Sequence, residues 1–495
     1  MPLRMVPGRT DDIVIVGAGL GGLSAALRLA GAGRRVTVLE QAAEPGGRAG
    51  LLKVGGYRFD TGPTVLTMPE FIDDALACVG ERLTDRLELL PVRPAYRARF
   101  ADGSTIDVHT DADRMAEQIE QLASARDAAG YRDLVGFLRR LYLLEQSRFI
   151  DRNLDSAVQL LGSAGLRLIA LGGLRRLAPK IGQYLEDERL RRIFSFQAMY
   201  AGLAPQDALA MYAVISYMDT VAGVYFPRGG MHALPRALAD AAAAHGVSFR
   251  YRTKVERIEV TDGRARAVHT ADGERIPADV VVVNADLPSA YQQLLPVEYQ
   301  PRRLARLRFS PSCVLVHVGS SNNYPQLAHH TIFFGAAWEQ TFAEVIHQGR
   351  LMSDPSFLVS NPSRSEPALA PAGRHSYYLL FPAPNTRFGI DWPLIGPRYR
   401  EEIMRVLDRR GLSGFADGVE EAVLVTPRDW QDQGLAAGSP FAAAHTFGQS
   451  GPFRFPTLDR RVHNLVFCGS NTQPGVGVPM VMLSGKLAAA RITGG

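Results

Sequence analysis

The sequence predicts an α/β protein in which a discontinuous Rossmann-like domain is interleaved with a mixed α+β domain. Three observations predict it. A strand, a GxGxxG turn, a helix, a second strand and a terminal Glu follow one another over residues 12–40. A second strand, glycine loop and apolar helix close the sequence at 464–492. Between them lie two long stretches with no glycine fingerprint, and no repeat or low-complexity linker separates them. At 495 residues the chain exceeds what one hydrophobic core ordinarily organises.

The first element is the β-branched run Asp12 to Val16, a buried strand that stops at a glycine turn. Gly17 makes the turn, Gly19 lets a pyrophosphate approach the backbone, and Gly22 lets the next helix sit close on the strand. That helix aims unpaired N–H groups and its positive end at the phosphates. It ends at Gly31 and Gly33, and Val36 to Leu39 form the next strand. Glu40 follows, about 20 residues past the motif, where a carboxylate accepts ribose hydroxyls and repels a 2′-phosphate. A dinucleotide other than NADP is expected. Pro45-Gly46-Gly47-Arg48 comes next, either a second phosphate-side turn or a Pro-Gly turn with a solvated arginine.

Residues 247–286 read as strands with turns at Asp262-Gly263 and Asp272-Gly273, then the buried run Val280 to Val283 ending at Asn284-Ala285-Asp286. At the C-terminus a strand stops at Gly469, a loop carries Pro474, Gly475 and Gly477, and an apolar helix starts near Val478. The predicted organisation is therefore a nucleotide domain built from 1–90, 225–290 and 450–495, and a substrate and membrane-association domain built from 91–224 and 291–449.

Apolar residues make up 46% of the chain and the net charge is +5 with a pI near 9.1, which permits attraction to anionic lipid. Without a dense basic run, no nucleic acid partner is expected. Cys78, Cys313 and Cys468 show no metal-ligand spacing, so no metal and a reduced cytoplasmic setting are expected. The N-terminus lacks the apolar core of a secretory signal, and 157–174 is too diluted by Arg167, glycines and polar residues for a membrane span.

Glu40 followed by Gly46-Gly47-Arg48 resembles the FAD-binding unit of the amine oxidase and carotenoid desaturase superfamily, of the glutathione reductase-like type. Five further stretches narrow the resemblance to the bacterial-type phytoene desaturases: YRFDTGPTVLTMP at 57–69, GVYFPRGGMHALPRAL at 223–238, QLAHHTIFFG at 326–335, GIDWP at 389–393 and PGVGVP at 474–479. The resemblance implies FAD as cofactor, Arg48 lying along its phosphates beside Gly47, Gly62 in the first of those stretches, and a backbone group near Val255 at the adenine. It places Gly469, Gly477 and Val478 at the flavin ring, where the helix N-terminus faces the negative charge of the reduced ring. It implies two-hydrogen removals from phytoene toward lycopene, by hydride transfer to flavin N5 with loss of a proton. Electrons would pass on to quinone or oxygen, and NAD would not be consumed. The chain departs from the pattern at Gln473, where many relatives carry histidine.

His329-His330 stands out as a candidate proton acceptor, with His330 the residue chosen; the alternative is a structural pair at a strand entrance. Arg228 is read as orienting the cofactor or lining the domain border, or as a surface ion-pair residue. Asp391 is a further candidate acceptor. Tyr225, Phe226, Trp338 and Trp392 either flank a polyene or belong to the core. Within 156–185 there are Arg167, Arg175, Arg176 and Lys180 but no acid, and Leu174, Leu177, Ile181 and Leu185 share one helical face. That face is read either as lying in an anionic membrane surface or as packing on the substrate domain. Three other functions stay open: another carotenoid-modifying oxidoreductase such as a later desaturase, isomerase or terminal oxidase, a soluble amine oxidase, and a carotenoid-binding flavoprotein without catalysis.

Overall fold

The structure is a computed structural model that describes residues 3–160 and 162–494. Its first sheet is parallel and five-stranded, in the order Leu465–Phe467, Val280–Val283, Asp12–Val16, Arg35–Leu39, Ser248–Arg250. The central strands are apolar on both faces because both are covered, one by helices and the other by a meander over 255–277 and helix Leu287–Gln293. Helices Leu20–Gly31, Ala233–Ala244 and Val478–Thr493 pack together on one face. All four residues of Val280–Val283 are buried.

The two glycine turns predicted between strands form a three-stranded meander, Val255–Thr261, Arg264–Thr270 and Arg275–Pro277. Asp262 and Gly263 both take positive φ, 52° and 67°, as a tight hairpin with the right-handed twist demands.

A second, seven-stranded sheet runs in the order Val419–Val425, Ser312–Ser320, His375–Ala383, Phe357–Ser360, His330–Phe333, Tyr96–Arg99, Thr105–Val108. It is antiparallel except where His330–Phe333 meets Tyr96–Arg99. Helices Ala112–Leu122 and Ala125–Glu145, with the short helical segments between 157 and 222, stand beside it.

The expected amphipathic face within 156–185 is corrected by the structure. Two short helices occur there, Ser163–Ala170 and Leu177–Ile181, and Leu177, Ile181 and Leu185 are buried in the core. A three-four spacing marks whichever face is covered, and here protein covers it. Leu174 of that face is exposed, as are Val158, Leu166 and Ile169 in the same stretch and Leu143 on the long helix. Among the described residues no helix is long and apolar enough to cross a membrane.

Candidate active site

One cavity of about 1580 Å³ runs through the molecule. It exceeds the 300–1,000 Å³ of ordinary ligand pockets, enough for a dinucleotide and a second long molecule. One end is glycine-rich and polar, and the rest is lined by Phe149, Phe196, Met199, Ile215, Phe334 and Trp338 among other apolar groups.

At the glycine end, helix Leu20–Gly31 starts at Gly19 with no capping side chain and no acid in its first turn. Its first N–H groups are therefore left for a ligand. Gly17 and Gly19 line the cavity. Gly22 does not: a Cβ there would lie 2.3 Å from the Gly17 carbonyl oxygen, so this glycine serves the close helix–turn packing. Glu40 lines the cavity and accepts from the backbone N–H of Ala18 at 2.7 Å and of Ala42 at 2.8 Å. Its carboxylate thus also fixes the first turn to the chain that follows.

The second glycine pair folds against the first. Gly46 donates its N–H to the Ala18 carbonyl, bridges to Gly19, and needs φ of 134°. Behind this turn, His232 Nε2 meets the Pro45 carbonyl at 2.9 Å, and the Asp60 carboxyl accepts from the N–H groups of Met231 and His232. Burial pushes Asp60 up to about 6 against the pull of those two N–H groups. Gly62 packs on the Arg48 backbone, where a Cβ would lie 2.1 Å from its carbonyl oxygen.

Arg48 reaches across the cavity wall to the Pro440 carbonyl at 3.0 Å and Ser470 Oγ at 2.7 Å, with Nη2 3.7 Å from Asp286 Oδ1. Burial lowers the Arg48 pKa and raises that of Asp286, and each partner opposes the other's shift. Asn471 Nδ2 donates to Asp286 at 2.7 Å. Asn284 also lines the cavity, with its amide against Gly19 and Gly22. The sequence reading did not assign roles to Asp286, Asn284 or Asn471; their position straight after a buried strand was the available signal. Val255, Gly469, Gly477 and Val478 all line the cavity too. Helix Val478–Thr493 begins at Gly477, uncapped and without an acid in its first turn, so a second helix N-terminus points at the same space. Two uncapped helix ends, an open glycine floor and one arginine fit a flavin dinucleotide.

The proposed catalytic residues are not brought to this cavity. His330 forms part of the second sheet, its Nδ1 2.7 Å from Ser360 Oγ, and burial drives it down to about 3. His329 Nδ1 meets Ser365 Oγ at 2.6 Å. Neither ring lines the cavity, which matches the structural alternative. Arg228 lies at the surface, 55% exposed, paired with Glu88. Asp391 is an exposed N-cap on Trp392–Arg409. Of the aromatic candidates Trp338 lines the cavity, whereas Tyr225, Phe226 and Trp392 do not. Gln473 lines it, but its amide is spent on the Leu154 backbone at both N–H and carbonyl and on the Gly451 carbonyl.

The profile of the flavin containing amine oxidoreductases matches residues 20–493. A phytoene dehydrogenase of Streptomyces griseus is 57% identical over 492 residues, 99% of this chain and 96% of that protein. A zeta-carotene-forming phytoene desaturase of Myxococcus xanthus is 37% identical over 97% of this chain and 93% of its own length. Among solved structures, an oxidoreductase from Methanosarcina mazei superposes with a TM-score of 0.62 at 17% identity, covering 96% of this chain and 98% of that one. That last likeness concerns the fold.

Proposed function

This chain belongs to the flavin containing amine oxidoreductases, and we propose that within them it is an FAD-dependent desaturase that converts phytoene stepwise toward lycopene. What carries the reading is the continuity of the cavity, from a glycine end suited to a dinucleotide into an apolar channel suited to a long hydrocarbon. FAD, when bound, supplies a two-electron acceptor for a CH2–CH2 unit beside a double bond. The protein's part is to hold the hydrocarbon in line, keep water out and stabilise charge. Gly17, Gly19, Glu40 and Arg48 would hold the nucleotide, and the N-terminus of Val478–Thr493 would face the ring. Phe196, Phe334 and Trp338 would grip the polyene by apolar contact.

Purified protein with FAD, phytoene-loaded liposomes and a quinone, without NAD(P), is expected to produce coloured carotenes of increasing conjugation, resolved by chromatography. A colourless mixture with flavin and liposomes both bound would reject phytoene as substrate. The final pigment would separate a zeta-carotene-forming from a lycopene-forming enzyme.

The substrate dissolves in lipid, so the enzyme is proposed to sit on a membrane surface. Phe149, Ile150 and Leu154 line the cavity, and the next stretch of chain exposes Leu166 at 66% and Ile169 at 56% beside the exposed cations Arg167, Arg175 and Arg176. Burying such side chains in lipid is worth about 1.5 kcal/mol or more each. Replacing Leu166 and Ile169 together with serine should therefore weaken pelleting with anionic liposomes about 100-fold, at unchanged flavin content. Unchanged pelleting would remove this surface from the reading.

A further inference from the structure

Two carboxyl groups in the wall of the apolar channel lack the partners that buried acids ordinarily have. Glu145, the last residue of Ala125–Glu145, is 3% exposed and its Oε1 accepts no hydrogen bond. Asp219 is 5% exposed with Oδ1 equally unsatisfied. Burying an acid without a counterion or donor is costly, so such groups are rare and concentrate where chemistry needs them.

The surroundings distinguish the two. Asp219 faces Tyr96, Tyr200 and Gln197. Glu145 shares the cavity wall with Tyr212 and His445, and the Tyr212 phenol donates to the His445 carbonyl at 2.6 Å. The His445 ring lies so close to the C-terminal glycine loop that a Cβ on Gly475 would come within 2.3 Å of Nε2. The chain beyond Glu145 continues along the same loop, where Leu154 holds Gln473. Glu145 therefore lines the same cavity as the C-terminal glycine loop that carries Gln473, Gly475 and Gly477. His445 is the weaker base of the two, because burial and the nearby Arg454 hold its imidazole well below the usual range.

We propose that Glu145 accepts the proton released in the desaturation, an assignment that rests on the reading of the channel as a polyene site. One C–H bond gives up hydrogen with both electrons to the bound flavin. The adjacent C–H bond then breaks, its electron pair forms the new π bond, and its proton goes to the Glu145 carboxylate. The hydrocarbon is oxidised by two electrons, the flavin is reduced by two, and Glu145 ends as a neutral acid. Burial raises the Glu145 pKa well above the usual carboxyl range, which makes its ionised form a strong base. Positive charge growing on the allylic system favours that ionised form as the reaction proceeds.

The test compares wild type with E145Q, E145D and D219N. Infrared spectra of the resting proteins at pH 7, without substrate, should show the carbonyl band of a buried neutral acid that E145Q loses and E145D keeps. Flavin bleaching by phytoene in a single anaerobic turnover should quicken with pH in wild type, D219N and E145D. In E145Q it should be about 100- to 10,000-fold slower and lose that pH rise. Flavin content and visible spectrum check that each variant is loaded, and E145D keeps the test available if E145Q does not fold. Bleaching in loaded E145Q within a few fold of wild type would overturn the role of Glu145 alone. A wild-type protein that binds flavin and polyene yet never bleaches would overturn the underlying reading instead.

Discussion

Replacement of Arg48 by methionine is expected to yield protein that has lost most of its flavin and melts at lower temperature. The guanidinium spans three groups that meet only in the folded chain: the Pro440 carbonyl, Ser470 Oγ and the Asp286 carboxylate. The Asp286 side chain is only 3% exposed, and its remaining partners are Asn471, the Ala436 N–H and, at 3.4 Å, the Ser289 hydroxyl. Taking away the cation leaves that acid buried without countercharge, a change that costs about 3–5 kcal/mol. Protonation of Asp286 limits the loss, and its pKa is already raised by burial. If about 3 kcal/mol falls on the bound state, flavin affinity drops about 100-fold. Lysine at the same position should recover part of the melting temperature and little of the affinity, since an ammonium cannot address three directions with a planar fork. Fluorescence of released flavin and thermal unfolding measure the two effects separately. R48M that retains full flavin and an unchanged melting temperature would return Arg48 to the status of a solvated turn residue.

The same arginine marks the boundary of what was legible in the chain. The placement of Gly19, Gly22 and Glu40 is written within 40 consecutive residues, because turn, helix start and acid are neighbours in sequence as well as space. The hairpin at Asp262-Gly263 is equally local. The partners of Arg48 lie at 286, 440 and 470, and no local pattern announces such a meeting. His329 and His330 drew attention by being adjacent, yet the sheet buries both rings away from the channel and leaves them neutral. Glu145 sits on a helix whose other residues explain themselves by amphipathic spacing. Its meaning comes from the cavity that packing lets it share with Tyr212, His445 and Gly475. A buried, unpaired acid has no signature in a single sequence, since the same letter on a helix is most often solvated.

Asp219 tests that point through stability, independently of catalysis. Burial pushes its carboxyl from an ordinary 3.8 up to about 8, so the folded chain holds a proton that the unfolded chain has released. Between those two values the unfolded state binds fewer protons, and stability must fall as pH rises. Below about pH 4 both states are protonated and above about pH 8 both are ionised, so the dependence ends at each limit. A shift of about 4 pH units corresponds to a ceiling on the order of 5 kcal/mol. D219N removes the titrating proton at nearly constant shape. Its melting temperature relative to wild type should therefore climb steadily from pH 4 to pH 8 and then level off, with the wild type losing stability rather than the variant gaining it. Calorimetry of both proteins across that range reads the difference directly. A gap independent of pH would mean that Asp219 ionises freely in the folded state, which requires water or a cation in contact with Oδ1. The apolar channel would then be wet at that depth, a poor container for an allylic cation, and the chemistry proposed for Glu145 would have to proceed in its presence.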